Sequence, residues 1–325
     1  MIKDPESGTL LPFDFGQLSS MIPELHSLGY RIDSWSFDPL IDSSNVNPGN
    51  WIQLATVIEE HYDKYDGFVV LHGSDTMAFS TAALSFMLEN LNKSVVFTGS
   101  QLPMGVSRTD GRENFITALE IAAAKKGGRS VVPEVCLYFE YQLYRGNRAH
   151  KFSAENFEAF RSINYPILAE AGVSIKYNSN AIRKADDLKL KVHKKLDTNI
   201  AILKLFPGIN RQHVKAILGI RGLKAVVLET YGSGNAPTDE WFLTELRQSI
   251  ARGIIIYNVT QCRGGAVEMG KYQTGKALES IGVTGGYDII TESAVSKLMY
   301  LLGCGYDTEK VKALLQENLR GELTR

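Results

Sequence analysis

The residues of this chain that could do chemistry fall in three polar clusters. Asp42-Ser43-Ser44-Asn45 follows Asp38-Pro39-Leu40-Ile41. Ser74-Asp75-Thr76 follows the apolar run Gly67 to Leu71 and His72-Gly73. Arg145-Gly146-Asn147-Arg148-Ala149-His150-Lys151 follows the apolar run Val135 to Tyr138. Together they supply hydroxyls, an acid and a lysine. A serine hydroxyl is a poor nucleophile at its free pKa and needs a base. A lysine serves as one when burial and a neighbouring charge adjust its pKa. A Lys–Asp pair beside a hydroxyl would thus form a proton relay for acyl transfer. Each cluster alone has a plainer reading: a turn capping the next helix, an N-cap, and a basic surface loop. No histidine is placed for a Ser-His-Asp triad, and His72, before a glycine at a strand end, reads as structural. The six histidines are dispersed with no HExxH spacing, so no metal site is expected. Gly264-Gly265 and Gly285-Gly286 lack both GxGxxG and a phosphate loop and read as turns.

These clusters are positioned by an alternation of strands and helices. Short β-branched runs predict buried strands at Gly67–Leu71, Ser94–Thr98 and Ser130–Tyr138. Between them, apolar periodicity predicts helices from Met77 to about Leu91, with Ser74 or Asp75 as N-cap, and from a capping box at Asp110-Gly111-Arg112-Glu113 to about Lys125. Before them, Trp51 to Tyr62 predicts an amphipathic helix, with Asn47 as N-cap and Pro48 at the first turn. Strands separated by such helices imply a parallel sheet. Ser74 and Asp75 would then sit at the carboxyl end of a strand beside a helix N-terminus, where open α/β sheets bind ligands. The polar stretch 179–199 is expected to be a linker, with a larger N-terminal domain over 1–178 and a smaller α/β domain over 200–325. In the latter, strands are predicted at Ile200–Phe206, Ala225–Leu228 and Ile254–Val259. Its helices are predicted at Gln212–Leu218, Pro237–Ala251, Thr291–Leu302 and Thr308–Leu319.

With 325 residues, 44% of them hydrophobic, the chain can build two cores. A formal net charge of −1 offers no concentrated basic face for nucleic acid or a membrane surface. Lys184 to Lys195 is interrupted by Asp186 and Asp187 and reads as solvated. Three scattered cysteines (Cys136, Cys262 and Cys304) form neither a disulfide framework nor a CxxC site. No apolar run reaches the roughly 18 residues of a membrane span, and the N-terminus has no signal-peptide core. A reducing, cytoplasmic location is expected.

Leu71-His72-Gly73-Ser74-Asp75-Thr76-Met77, Thr98-Gly99-Ser100-Gln101, Tyr144-Arg145-Gly146-Asn147-Arg148 with Lys151, Tyr231-Gly232-Ser233-Gly234-Asn235-Ala236-Pro237 and Asn318 to Thr324 stand in this order. The combination resembles the type I, cytoplasmic bacterial L-asparaginases over essentially the whole chain. The resemblance implies an asparaginase-like α/β fold, a large N-terminal parallel-sheet domain followed by a smaller α/β domain. It also implies hydrolysis of L-asparagine to L-aspartate and ammonia without a cofactor. The second hydroxyl, acid and lysine of the relay fall on Ser74, Asp75 and Lys151. Substrate binding falls on Asp42, Ser43 and Ser44, on Ser74 and Asp75, on Ser100 near the side-chain amide, and on Asn235, which approaches a neighbouring subunit's site. Ser43 matches the holder of the α-carboxylate, and Asp75 would receive the α-ammonium. A homodimer or homotetramer is implied, with no nucleic-acid or membrane partner. The family's nucleophile lies in a Thr-Gly-Gly-Thr-Ile segment that would align before Met1, so this chain is expected to lack that residue and the first strand. Its lid would include Asp4 to Leu11. Of the family's regulatory elements, Thr260 and Cys262 match, whereas His150 stands for a threonine and Glu229 for an arginine. Two other readings stay open: a non-catalytic asparagine or aspartate binder, and a phosphoryl-transfer enzyme, which the missing phosphate loop disfavours.

Overall fold

The computed structural model describes residues 2–3, 10–11, 16, 21–271 and 273–324; most of the expected lid, 4–9, lies outside them. The chain divides into two compact units. One comprises 1–162 with 166–192, and the other 163–165 with 193–325.

The first unit is built on a six-stranded sheet. Its strands are β1 (Gly67–Leu71), β2 (Ser94–Thr98), β3 (Val135–Phe139), β4 (Gln142–Arg145), β5 (Ala169–Ala171) and β6 (Ile175–Tyr177), lying side by side in that order. β1, β2 and β3 are parallel, as their intervening helices require. The β3–β4, β4–β5 and β5–β6 pairs are antiparallel, an extension that periodicity did not reveal. The helices are α1 (Pro48–His61), α2 (Met77–Met87) and α3 (Gly111–Ala123). Every side chain of β2 and β3 is buried, as expected of strands covered on both faces. Gly67 begins β1 because a Cβ there would overlap the Ala122 carbonyl of α3.

α1 starts as its sequence predicts. The Asn47 side chain accepts from Gly49 N–H, and Asn50 reciprocates on Asn47 N–H. α2 ends four residues before the predicted Leu91. Leu88–Glu89 leaves the helix to pair antiparallel with Lys191–Val192, so sheet bonding takes over those backbone groups. The charged stretch 179–192 is also tied down within this unit: Arg183 donates to the Pro133 carbonyl, and Asn92 donates to the Leu188 carbonyl.

The second unit has a fully parallel four-stranded sheet. Its strands are β7 (Ile200–Lys204), β8 (Ala225–Thr230), β9 (Ile255–Thr260) and β10 (Thr284–Gly285), in that order. Its helices are α4 (Arg211–Leu218), α5 (Glu240–Ala251), α6 (Gln273–Ser280), α7 (Thr291–Gly303) and α8 (Thr308–Leu315). α5 begins at Glu240 after Asp239, three residues beyond the predicted Pro237. α8 stops at Leu315 rather than Leu319, because the Leu315 and Glu317 carbonyls accept from the fully buried Lys297 ammonium. Lys297 also pairs with Glu322 at 2.6 Å, both side chains being wholly buried. Glu322 in turn accepts from Leu319 and Arg320 N–H groups, which fixes the C-terminal turn. Among the described residues no helix is long and apolar enough to cross a membrane.

Candidate active site

Register decides where the 72–76 turn lies. Leu71 of β1 pairs with Thr98 of β2, and the His72 N–H donates to the Thr98 carbonyl at 2.9 Å. The carboxyl ends of both strands therefore open side by side, with 72–76 and 99–102 as adjacent loops. Gly99 is required between them, since a Cβ there would overlap the His72 carbonyl.

His72 is structural. Its Nδ1–H donates to the Gly73 carbonyl at 2.7 Å, which leaves Nε2 to accept from the Ser80 hydroxyl at 2.9 Å. Ser80 Oγ accepts in turn from Trp51 Nε1–H at 2.8 Å. Burial holds the His72 pKa below its ordinary value, which favours the neutral ring this chain of bonds needs.

The structure moves the start of α2. Its N-cap is Thr76, not Ser74 or Asp75, and no side chain caps it. Thr76 Oγ1 instead donates to the Ser43 carbonyl at 2.6 Å. Ser43 is buried, and Gly73 lies so close that a Cβ there would overlap Ser43 Oγ. The 42–45 turn is thereby fastened to the 72–76 turn. Asp42 caps its own turn, accepting from Ser44 N–H at 2.8 Å and from the Ser44 hydroxyl at 2.6 Å. Those two bonds hold the Asp42 pKa below the usual carboxylate range.

Ser74 and Asp75, relieved of capping, meet Lys151. The lysine Nζ donates to Ser74 Oγ at 2.9 Å and to Asp75 Oδ1 at 2.6 Å. Ser74 Oγ donates to Gln101 Oε1 at 3.1 Å. The Lys151 side chain is 20% exposed and that of Asp75 65%. Lys151 reaches this point on a two-residue strand, His150–Lys151, paired antiparallel with Phe160–Arg161. The segment before it is not a surface loop: Arg145, Asn147, Arg148 and His150 are all buried. Arg145 is neutralised by Glu134, with Nε to Oε2 at 2.6 Å.

The 99–102 loop is anchored by Asp110. The capping box expected there does not form, and Asp110 caps nothing with its side chain. Its carboxylate accepts instead from Gln101 N–H, Leu102 N–H and Asn114 Nδ2. Ser100 is half-buried on this loop, with its Cβ beside Gly111. In the sequence Gln101 carries no signal of its own beyond its motif, and Asp110 looks like a cap. A carboxylate before a helix with apolar neighbours looks the same in either role.

The other candidates lie in the second unit. Asn235 accepts from Thr274 Oγ1 at 2.6 Å. Thr260 Oγ1 donates to the Gly232 carbonyl and accepts from Cys262 N–H, while the Cys262 thiol is free and exposed. Glu229 is buried, accepts from Thr291 Oγ1 at 2.6 Å and lies 3.3 Å from Lys204. No group of three or more His, Cys, Asp or Glu is placed to hold a metal among the described residues.

Residues 1–183 match the family model "Asparaginase, N-terminal", and 199–315 match "Glutaminase/Asparaginase C-terminal domain". The chain belongs to the asparaginase family. It is 45% identical over 288 residues to L-asparaginase 1 of Escherichia coli (strain K12), covering 89% of this chain and 83% of that one. It is 46% identical to the human 60 kDa lysophospholipase over 88% of this chain, but that match spans only 49% of the larger protein. Among solved structures, L-asparaginase I from Vibrio cholerae superposes with a TM-score of 0.90 at 41% identity, covering all of this chain and 96% of the other. The asparaginase-like α/β fold is as the sequence implies, with three parallel strands at the heart of the first unit's mixed sheet and a fully parallel sheet in the second.

Proposed function

We propose that the protein hydrolyses L-asparagine to L-aspartate and ammonia, with Ser74, Asp75 and Lys151 forming the proton relay. The observation that carries this reading is the Lys151 ammonium bonded at once to the Ser74 hydroxyl and the Asp75 carboxylate. A hydroxyl nucleophile attacks the side-chain amide carbon, forming a C–O bond. The C–N bond then breaks, and the departing nitrogen takes the proton to leave as ammonia. Water hydrolyses the resulting ester. In the reacting form Lys151 is the neutral amine. Ser74 takes the nucleophile's proton as its own passes to Lys151, the lysine returns it to the leaving nitrogen, and Asp75 stabilises the charge that moves onto the lysine. The exposed Asp75 carboxylate also receives the substrate α-ammonium, and Ser43 the α-carboxylate, with Asp42 and Ser44 shaping that turn. Ser100 faces the side-chain amide. Asn235 serves a neighbouring subunit's site in a homodimer or homotetramer, and Thr260 and Cys262 belong to a regulatory site. The reaction runs in the cytoplasm, a reading supported by the motif resemblance to cytoplasmic asparaginases.

The test is ammonia release from L-asparagine by the purified protein, with titration by L-aspartate alongside. Turnover that Ser74→Ala abolishes supports the reading. Binding of L-aspartate with no ammonia released by the folded wild type overturns it in favour of a binder.

A further inference from the structure

We propose that Gln101 is a positioning residue that holds the Ser74 hydroxyl in the one rotamer able to meet Lys151. The inference rests on the amide-hydrolysis reading above. Serine has a single heavy atom on Cβ, so its χ1 has three staggered wells and little intrinsic bias. Ser74 Oγ nevertheless sits between two fixed partners. It accepts from Lys151 Nζ and donates its own proton to Gln101 Oε1.

The Gln101 carboxamide is itself immobilised at both ends. Its Nε2 group donates to the Ala154 carbonyl at 3.3 Å and the Asn156 carbonyl at 3.0 Å. With both amide protons committed to carbonyls, only Oε1 can face Ser74. Its backbone N–H is clamped by the Asp110 carboxylate, with both oxygens within 3.1 Å. With the lysine charged, the Ser74 proton therefore points at Gln101 and a lone pair points at Lys151; once the lysine is neutral the O–H turns to it by rotation about Cβ–Oγ, with Oγ already in place. A neutral carboxamide does not take up a proton at ordinary pH, so Gln101 orients the relay without joining it. The same residue ties the 99–102 loop to the 154–156 loop that follows Lys151, so both partners of Ser74 are held in one frame.

The test compares Gln101→Leu in two backgrounds, each factor taken against its own parent. With Ser74 present, loss of the acceptor frees the hydroxyl to rotate, and kcat for ammonia release falls about tenfold or more with KM little changed. In a Ser74→Thr background the β-branch restricts χ1 by itself, and Gln101→Leu costs less than about threefold. Equal factors in the two backgrounds overturn the proposal, because a loss arising from the 154–156 contacts would not be rescued by threonine. A crystal structure of Gln101→Leu gives a readout independent of turnover. Ser74 is expected in more than one rotamer, and a single unchanged rotamer overturns the proposal. A wild type that releases no ammonia rejects the parent reading instead, with the rotamer measurement still deciding this one.

Discussion

Lys151→Met removes the ammonium that joins Ser74 to Asp75 while keeping most of the side chain's volume. Its effects on stability and on rate are expected to separate. The Asp75 side chain is 65% exposed, so its carboxylate is resolvated when the lysine is lost. An ion pair of that exposure contributes under about 1 kcal/mol, and the methionine fills the space of the lysine stem. The rate depends on the proton path, and removing a positioned acid–base group costs about 10²–10⁴-fold, or roughly 3–5 kcal/mol of barrier. Ammonia release from L-asparagine and the urea unfolding midpoint, measured on the same preparations, should show the first falling by at least about a hundredfold and the second barely moving. Lys151→Arg keeps the charge beside Asp75 but has no accessible neutral form, so it should hold the fold and not recover the rate. A Lys151→Met enzyme within about threefold of wild type would remove the lysine from the relay. A rate loss that tracks unfolding would reduce its role to structure.

Other parts of the molecule make separate predictions. Lys297→Met strands the fully buried Glu322 carboxylate and should cost about 3–5 kcal/mol in urea unfolding; Lys297→Met with Glu322→Gln should recover part of that loss. Burial, reinforced by repulsion from Glu229 and opposed by Arg263, raises the Glu292 pKa from 4.5 to about 7. The folded state therefore keeps a proton that the unfolded state loses between those values, so this group's contribution to stability declines as pH rises through that window. Glu292→Gln should then stabilise by on the order of 1–3 kcal/mol at pH 8 and by nothing at pH 4, read from denaturation midpoints. The β3–β4 hairpin turns through Glu140 and Tyr141, both with positive φ (45° and 65°). Replacing the pair with Asn-Gly should raise the thermal midpoint by about 2–4 °C.

Much of the fold was legible because its elements are locally encoded. β1 and β2 begin and end where the β-branched runs do, and α1 takes the cap that Asn47 and Pro48 announce. What stayed hidden depends on partners distant in sequence. α2 is cut short by pairing with residues about 100 positions later. α6, Gln-Thr-Gly-Lys-Ala-Leu-Glu-Ser, has only Ala277 and Leu278 as apolar side chains, and β10 has only two residues, so neither stands out from the loops around it. The 145–150 segment reads as a basic loop until Glu134 is seen to neutralise Arg145 in the interior. The site was legible as a set of residue types. Its assembly was not, since Ser74 and Lys151 stand 77 positions apart and meet only through sheet order and a two-residue strand.

The residues on which sequence rules failed are informative in themselves. Ser74, Asp75 and Asp110 each fit the signature of a helix N-cap, and each forgoes that role. A cap contributes about 1 kcal/mol, so leaving α2 without one is a cost that another requirement must offset, while the first N–H of α3 is met by the Thr109 hydroxyl instead of Asp110. Here the forgone caps hold backbone and relay. The Asp110 carboxylate fixes two N–H groups of the 99–102 loop, Thr76 fixes the Ser43 carbonyl, and Ser74 and Asp75 are left for Lys151. A loop that must place a hydroxyl within hydrogen-bond range cannot rely on packing alone, since loop backbone has no ladder to define it. Side chains that would otherwise close a helix supply that definition. Asp239 also forgoes its cap, at the start of α5, so a missing cap alone does not mark a site; at the carboxyl ends of β1 and β2 the side chains are redirected into the site, and it is there that conflict between local propensity and the finished structure marks function.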